Sequence, residues 1–145
     1  VKLCSICFAL SDKDTCRICS DLKRDKARIC VVENPTDMVA IEKSHAFSGT
    51  YHILGGVLSP MDGIGPDDIR IAELISRSKD GIVREIILAT KTNVEGEATA
   101  AYILDKLKNK KIKVSRIAAG IPMGGDLQYV DPLTMQKAME NRYGC

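Results

Sequence analysis

At 145 residues, 45% apolar and 28% charged, the chain has the size and composition of an ordinary globular protein with one core and room for a small appended module. Lys+Arg 21 against Asp+Glu 19 leaves a net charge of only +2, which argues against an overall basic nucleic-acid-binding surface, and 4% aromatics without tryptophan argue against a platform for stacked bases. No apolar run approaches the ~20 residues of a bilayer span, and VKLCSICFAL lacks the pattern of a secretion signal, so no membrane association and a cytoplasmic location are expected.

Four of the six cysteines form two knuckles near the N-terminus. Cys4-Ser-Ile-Cys7 and Cys16-Arg-Ile-Cys19 lie eight residues apart, a C-x2-C-x8-C-x2-C spacing. Each knuckle aims two soft thiolates at one point, and four such ligands suit a closed tetrahedral zinc ion. Redox pairs and an iron site are the competing readings. The intervening FALSDKDT is too short and polar for a core, so the metal must supply most of this module's folding free energy, apparent values being roughly 10–16 kcal/mol. Residues 1–27 are read as this zinc module. Its end, from Ser20 to Arg28, is a charged connector in which Lys23, Arg24 and Lys26 are candidate phosphate contacts, although Asp21 and Asp25 interleave with them.

An α/β domain is expected over 28–119. Arg28 to Glu33 is a β-branched strand with Cys30 buried and inert within it and Glu33 at its carboxyl end. Asn34 as N-cap, Pro35 at N1 and Asp37 at N3 open a helix that Gly49 helps to end. Tyr51 to Leu54 is a second strand. The loop from Gly55 to Asp68, with its four glycines and two prolines, is long enough to be functional or mobile. Pro66-Asp67-Asp68 starts the next helix, with Ile71, Leu74 and Ile75 inward, and Lys79-Asp80-Gly81 stops it.

Ile86-Ile87-Leu88-Ala89 suits a strand buried on both faces of a parallel sheet. A polar turn follows, then a helix capped by Asn93, with Glu95 in its first turn and Ala98, Ala101 and Leu104 on one stripe. Gly96 allows backbone or ligand to approach closely. Lys108 to Lys111 is a basic turn, and Ile112 to Ala118 a fourth strand. Alternating strands and helices predict an open, mainly parallel four-stranded sheet with flanking helices, whose sites lie at the carboxyl ends of the strands.

Residues 120–145 form a C-terminal extension. GIPMGGDLQYVDPL is glycine-rich, but no Lys-Ser/Thr follows as a phosphate loop requires. Asp131-Pro132 caps a final helix reaching roughly Arg142, and its Met135, Ala138 and Met139 invite a docking surface, such as another subunit. His45 and His52 have no partner at ligand spacing and are assigned no role.

Strand, polar turn and VEGEATA resemble the Toprim domain of topoisomerases and primases, with Lys91-Thr92-Asn93 at that domain's Asp-x-Asp positions. Together, the paired knuckles, ICVVENPTDMVAIE, YHILGGVLSPMDGIGPDDIRI, EIILAT…VEGEATA and IPMGGDLQYVDPLT resemble, over almost the whole chain and in order, the bacterial RecR family of recombination mediators. The resemblance implies a non-catalytic DNA-repair clamp that works with RecO and RecF to help load RecA on single strands. It places Glu33, Asp37, Glu95 and Glu97 on the family's acidic positions, a contact for RecO or a weak Mg2+ site, with helix-start charges as the alternative for Asp37 and Glu95. The family's Asn-Pro is replaced by Lys91-Thr92.

Family members begin with a helix-hairpin-helix region, whereas this chain starts three residues before its first zinc ligand. The resemblance puts much of the DNA contact and one of two ring contacts in that region. Weak, salt-dependent DNA binding and a dimer joined through Met135 and Met139 are therefore expected, in place of the family's tetrameric ring. The competing function is a Mg2+-dependent Toprim enzyme of nuclease, primase or topoisomerase type. Losing both Asp-x-Asp carboxylates counts against it, because such chemistry needs several carboxylates to hold the cation. A third reading, a zinc-stabilised nucleotide-binding domain, lacks a phosphate loop.

Overall fold

A computed structural model describes residues 1–108, 110–118 and 120–145. Asn109 of the basic turn and the domain boundary at 119 lie outside the described residues. Short strands β1 (Lys2–Leu3) and β2 (Leu10–Ser11) pair antiparallel, and α1 (Arg17–Ser20) follows; these carry the four cysteines. The main sheet contains β3 (Asp25–Val32), β4 (Gly49–Ile53), β5 (Glu85–Leu88) and β6 (Lys113–Arg116), all parallel, in the order β4-β3-β5-β6.

Alternation along β3 divides the core. Ile29 and Val31 face α3 (Ile71–Arg77) and α4 (Val94–Leu107), packing with Leu54, Leu74, Ile86 and Ile103. Cys30 and Val32 face the other way, with Tyr51 and Ile53, and this layer is continuous with all four knuckle cysteines. Met38 and Ile41 of α2 (Pro35–Ser44) close that side. The cysteine module is thus one wall of the core, and every residue of β4 is buried.

Several boundaries depart from the sequence expectation. β3 begins at Asp25, inside the segment read as a solvated connector, and Asp25 N–H already bonds to the carbonyl of Ser48. α2 starts as expected, Asn34 accepting from the Asp37 N–H, but it ends at Ser44 with His45 in the left-handed region. Gly49 therefore does not stop the helix; it opens β4, where a Cβ would run into the Phe47 ring. Pro66–Asp68 is a separate 3-10 turn and α3 starts only at Ile71. The preceding loop is pinned by a Ser59–Ile64 bridge.

The largest correction lies in α4. Its buried stripe is Gly96, Thr99, Ala100, Ile103 and Leu107, while Ala98, Ala101 and Leu104 are exposed. Gly96 packs on the carbonyl of Lys91 so closely that a Cβ would clash with it, and the buried Thr90 hydroxyl donates to the Gly96 carbonyl (2.8 Å). Thr99 donates to the Glu95 carbonyl (2.7 Å) and accepts from the Leu58 N–H (2.9 Å), so a polar residue is fully satisfied inside the helix–sheet seam. The final helix, α5 (Pro132–Glu140), is capped by Asp131 as expected, stops at Glu140, and buries none of its residues.

Candidate zinc centre and the carboxyl edge of the sheet

The two knuckles are shaped by backbone geometry before any ion is considered. The chain reverses after Cys7 with Phe8 at φ 69°, its N–H bonding to the Cys4 carbonyl (3.0 Å). Cys16 is the N-cap of α1, its sulfur accepting from the Cys19 N–H (3.4 Å). Cys4 Sγ accepts from the N–H groups of Ile6 (3.4 Å) and Cys16 (3.3 Å). These bonds aim sulfur inward and stabilise it as thiolate.

The four buried sulfurs lie within 4.8 Å of one another, and Cys7 and Cys16 are 3.5 Å apart. A tetrahedral zinc with Zn–S near 2.3 Å sets its sulfurs about 3.8 Å apart, so the donor set fits the ion in number, softness and spacing. The clustered sulfurs share protons, which draws the Cys7 thiol well below the usual thiol range and holds Cys19 well above it. A dication replaces such shared protons outright. Cys30, on the same side of the sheet, is no ligand; burial pushes its thiol up to about 12.

At the carboxyl edge, the four acidic residues do not converge. Glu33 is buried and accepts from the Lys91 N–H (2.6 Å), fastening the end of β3 to the turn after β5. Glu97 pairs with Arg116 at 2.6 Å. Glu95 is exposed, and Asp37 lies half-buried in the first turn of α2. Among the described residues, the four cysteines are the only group of three or more His, Cys, Asp or Glu donors close enough to share an ion. Glu33, Asp37, Glu95 and Glu97, expected to offer a partner contact or a weak divalent site, therefore form no donor cluster among the described residues.

Arg116 is the residue sequence reasoning missed here. From the end of β6 it donates to the carbonyls of Leu88 (2.9 Å), Thr90 (2.7 Å) and Lys91 (3.0 Å) as well as to Glu97. A guanidinium therefore lies across the end of β5, beside the edge where a Toprim enzyme keeps carboxylates for a metal. The one available signal was a cation at the end of an otherwise half-apolar strand.

The candidate DNA contacts separate in the same way. Lys23 is exposed. Arg24 makes a two-pronged pair with Glu42 (2.8 and 2.6 Å), which also accepts from the Tyr51 hydroxyl (2.6 Å); Lys26 donates to the Cys19 carbonyl. Arg24 thus bonds to α2 and β4 and Lys26 ties β3 to the cysteine module, and Lys23 alone of the three is exposed to meet a phosphate. In the extension, Met135 is half-buried and Met139 is 60% exposed, so neither is covered by this chain's own core.

Known proteins place the same three segments together. The Toprim domain matches residues 27–118, the C-terminal domain of RecR matches 120–143, and the RecR Cys4 zinc finger matches 1–21. The chain is 66% identical over 144 residues to the recombination protein RecR of Desulforapulum autotrophicum, covering 99% of this chain and 72% of that protein. It is 60% identical over 142 residues to the RecR of Desulfosudis oleivorans, covering 98% and 71%. It is 52% identical to that of Acidothermus cellulolyticus over 142 residues, covering 98% and 71%.

Proposed function

Because this chain belongs to the RecR family of recombination proteins, we propose that it serves DNA recombination and repair as a non-catalytic scaffold with a structural zinc ion. The observation that carries the non-catalytic part is the state of the strand-end carboxylates. Two-metal phosphoryl chemistry requires carboxylates free to hold cations. Glu33 is spent on the Lys91 N–H and Glu97 on Arg116, and Lys91 stands where the paired acids would be.

In this reading the chain acts as a clamp subunit that works with RecO and RecF to help load RecA on single strands. The exposed Glu95 and half-buried Asp37 offer RecO an acidic face, and Lys23 is one DNA contact. The uncovered methionines of α5 join two copies into a dimer. The test is RecA loading on single strands covered by single-strand-binding protein, with RecO present and this chain added or withheld. Stimulation that falls when Glu95 and Asp37 are changed to Lys is the expected result. Mg2+-dependent cleavage of the DNA that disappears in Glu33→Ala would replace the scaffold by an enzyme.

A further inference from the structure

The cysteine centre has a neighbour of opposite charge that comes from the other side of the core. Arg77, the last residue of α3, turns its guanidinium into the seam between β4 and the cysteine module. Nη1 donates to the Tyr51 carbonyl (2.6 Å) and Nη2 to the Thr50 hydroxyl (3.2 Å). The third bond is fixed by tautomer. His52 Nε2 lies 2.8 Å from the Arg70 carbonyl, which can only accept, so Nε2 carries the proton and Nδ1 accepts from Arg77 (3.3 Å). Arg77 lines a cavity of about 210 Å3 together with Ile6, Cys19 and Lys26.

Among the described residues Arg77 makes no ion pair with a carboxylate. Asp80 also lines the cavity, but its Oδ1 accepts from the Ile82 and Val83 N–H groups. Of the four ligand cysteines, Cys19 lines the same cavity as Arg77. A zinc ion held by four thiolates keeps a net charge of −2, and a buried charge of that size needs compensation close by. Lys26 supplies one positive charge at the Cys19 carbonyl.

We infer that Arg77 is the counter-cation of the four-cysteine zinc centre, a positioning residue through which the α/β core sets the affinity of the module for its metal. The three bonds to β4 hold the guanidinium in place whether or not zinc is bound, so its charge is ordered in advance. The interaction links α3, which contributes no ligand, to the stability of the knuckles. It goes beyond the recombination role and rests only on zinc as the occupant, which metal analysis of the unaltered chain establishes separately.

The experiment measures zinc affinity of the full chain by competition with a chromophoric chelator, for Arg77→Gln and Arg77→Lys, each alone and combined with Cys4→His. Gln keeps a donor and loses the charge; Lys keeps the charge. Arg77→Gln should weaken zinc by about 10–100-fold, the range for residues that support metal ligands, and Arg77→Lys by much less. With Cys4→His the centre carries one negative charge fewer, so the loss from Arg77→Gln should shrink. Equal losses for Gln and Lys, or the same loss in both backgrounds, would reduce Arg77 to a strut for β4 and overturn the inference. If Arg77→Gln does not fold, Lys26→Gln takes its place: weakened zinc with the same dependence on Cys4 supports charge compensation, and unchanged zinc opposes it.

Discussion

His52 shows how a single ring can make stability depend on pH. It is wholly buried, and burial together with Arg77 and Arg70 pulls its pKa down to about 4, while the Arg70 carbonyl pulls the other way. Unfolded, the ring takes a proton near 6.5. The unfolded state therefore binds more protons between these values, and stability present above pH 6.5 is lost as pH falls towards 4, about 3 kcal/mol in all. Urea midpoints measured across that window should drop more steeply for the natural chain than for His52→Gln, whose side chain does not titrate. Identical slopes would show that the folded ring titrates like the unfolded one. No role for His52 was legible from the sequence because its partners, the Arg70 carbonyl and Arg77, are 18 and 25 residues away. Gly96, by contrast, was legible, since a glycine in the first turn after a buried strand announces a close approach; Gly96→Ala should cost about 1–3 kcal/mol through its clash with the Lys91 carbonyl.

At the level of elements, caps were the most legible feature and helix faces the least. Asn34, Asn93 and Asp131 each accept the N–H three residues on, because a short polar side chain before a helix has few better partners. In α4 the apolar stripe was misplaced because its buried face includes Gly96 and Thr99, neither of which reads as apolar. The two faces should separate by mutation: Ile103→Ala should destabilise by about 2–5 kcal/mol, whereas Leu104→Gln should change little. Comparable losses in thermal scans would return the core to the face first expected. For α5, Met135→Glu with Met139→Glu should leave the unfolding midpoint of a monomer unchanged, since no residue of that helix is buried, while shifting the mass seen by light scattering from dimer to monomer. A chain that is monomeric at tens of micromolar before mutation would remove the contact.

The order of strands and helices was legible across the whole molecule, because a buried parallel strand needs a continuous apolar run and a crossover helix after it. What remained hidden was the relation of the cysteine module to that sheet. The sequence suggested a small appended module held together by its metal. In the structure Cys4, Cys7, Cys16 and Cys19 share one apolar layer with Tyr51 and Ile53. Phe8 packs edge-on against His52, and the Ile53 N–H bonds to the Cys7 carbonyl (2.9 Å). The joint is sealed by Arg24, Glu42 and Tyr51, which lie up to 27 residues apart and so carry no local pattern. Zinc removal by a chelator, or Cys7→Ala, should accordingly lower the melting temperature of the entire chain. A core that melts unchanged would restore the independent module.

The place of β4 at the margin of the sheet gives that joint a further meaning. A strand with one open flank is a template on which a second chain can hydrogen-bond, and GTYHI is apolar enough to sustain such growth. Here that flank is taken: the Cys7 carbonyl receives the Ile53 N–H, Arg77 covers the Tyr51 carbonyl, and the Arg70 N–H covers that of Leu54. Metal loss would free the Ile53 N–H from the Cys7 carbonyl and open that end of the strand, while the Arg77 and Arg70 bonds remain. The population to look for after chelation is therefore a self-propagating β-rich aggregate nucleated at residues 49–53, and a proline at Tyr51 or a lysine at Ile53 in the metal-free chain should slow its growth.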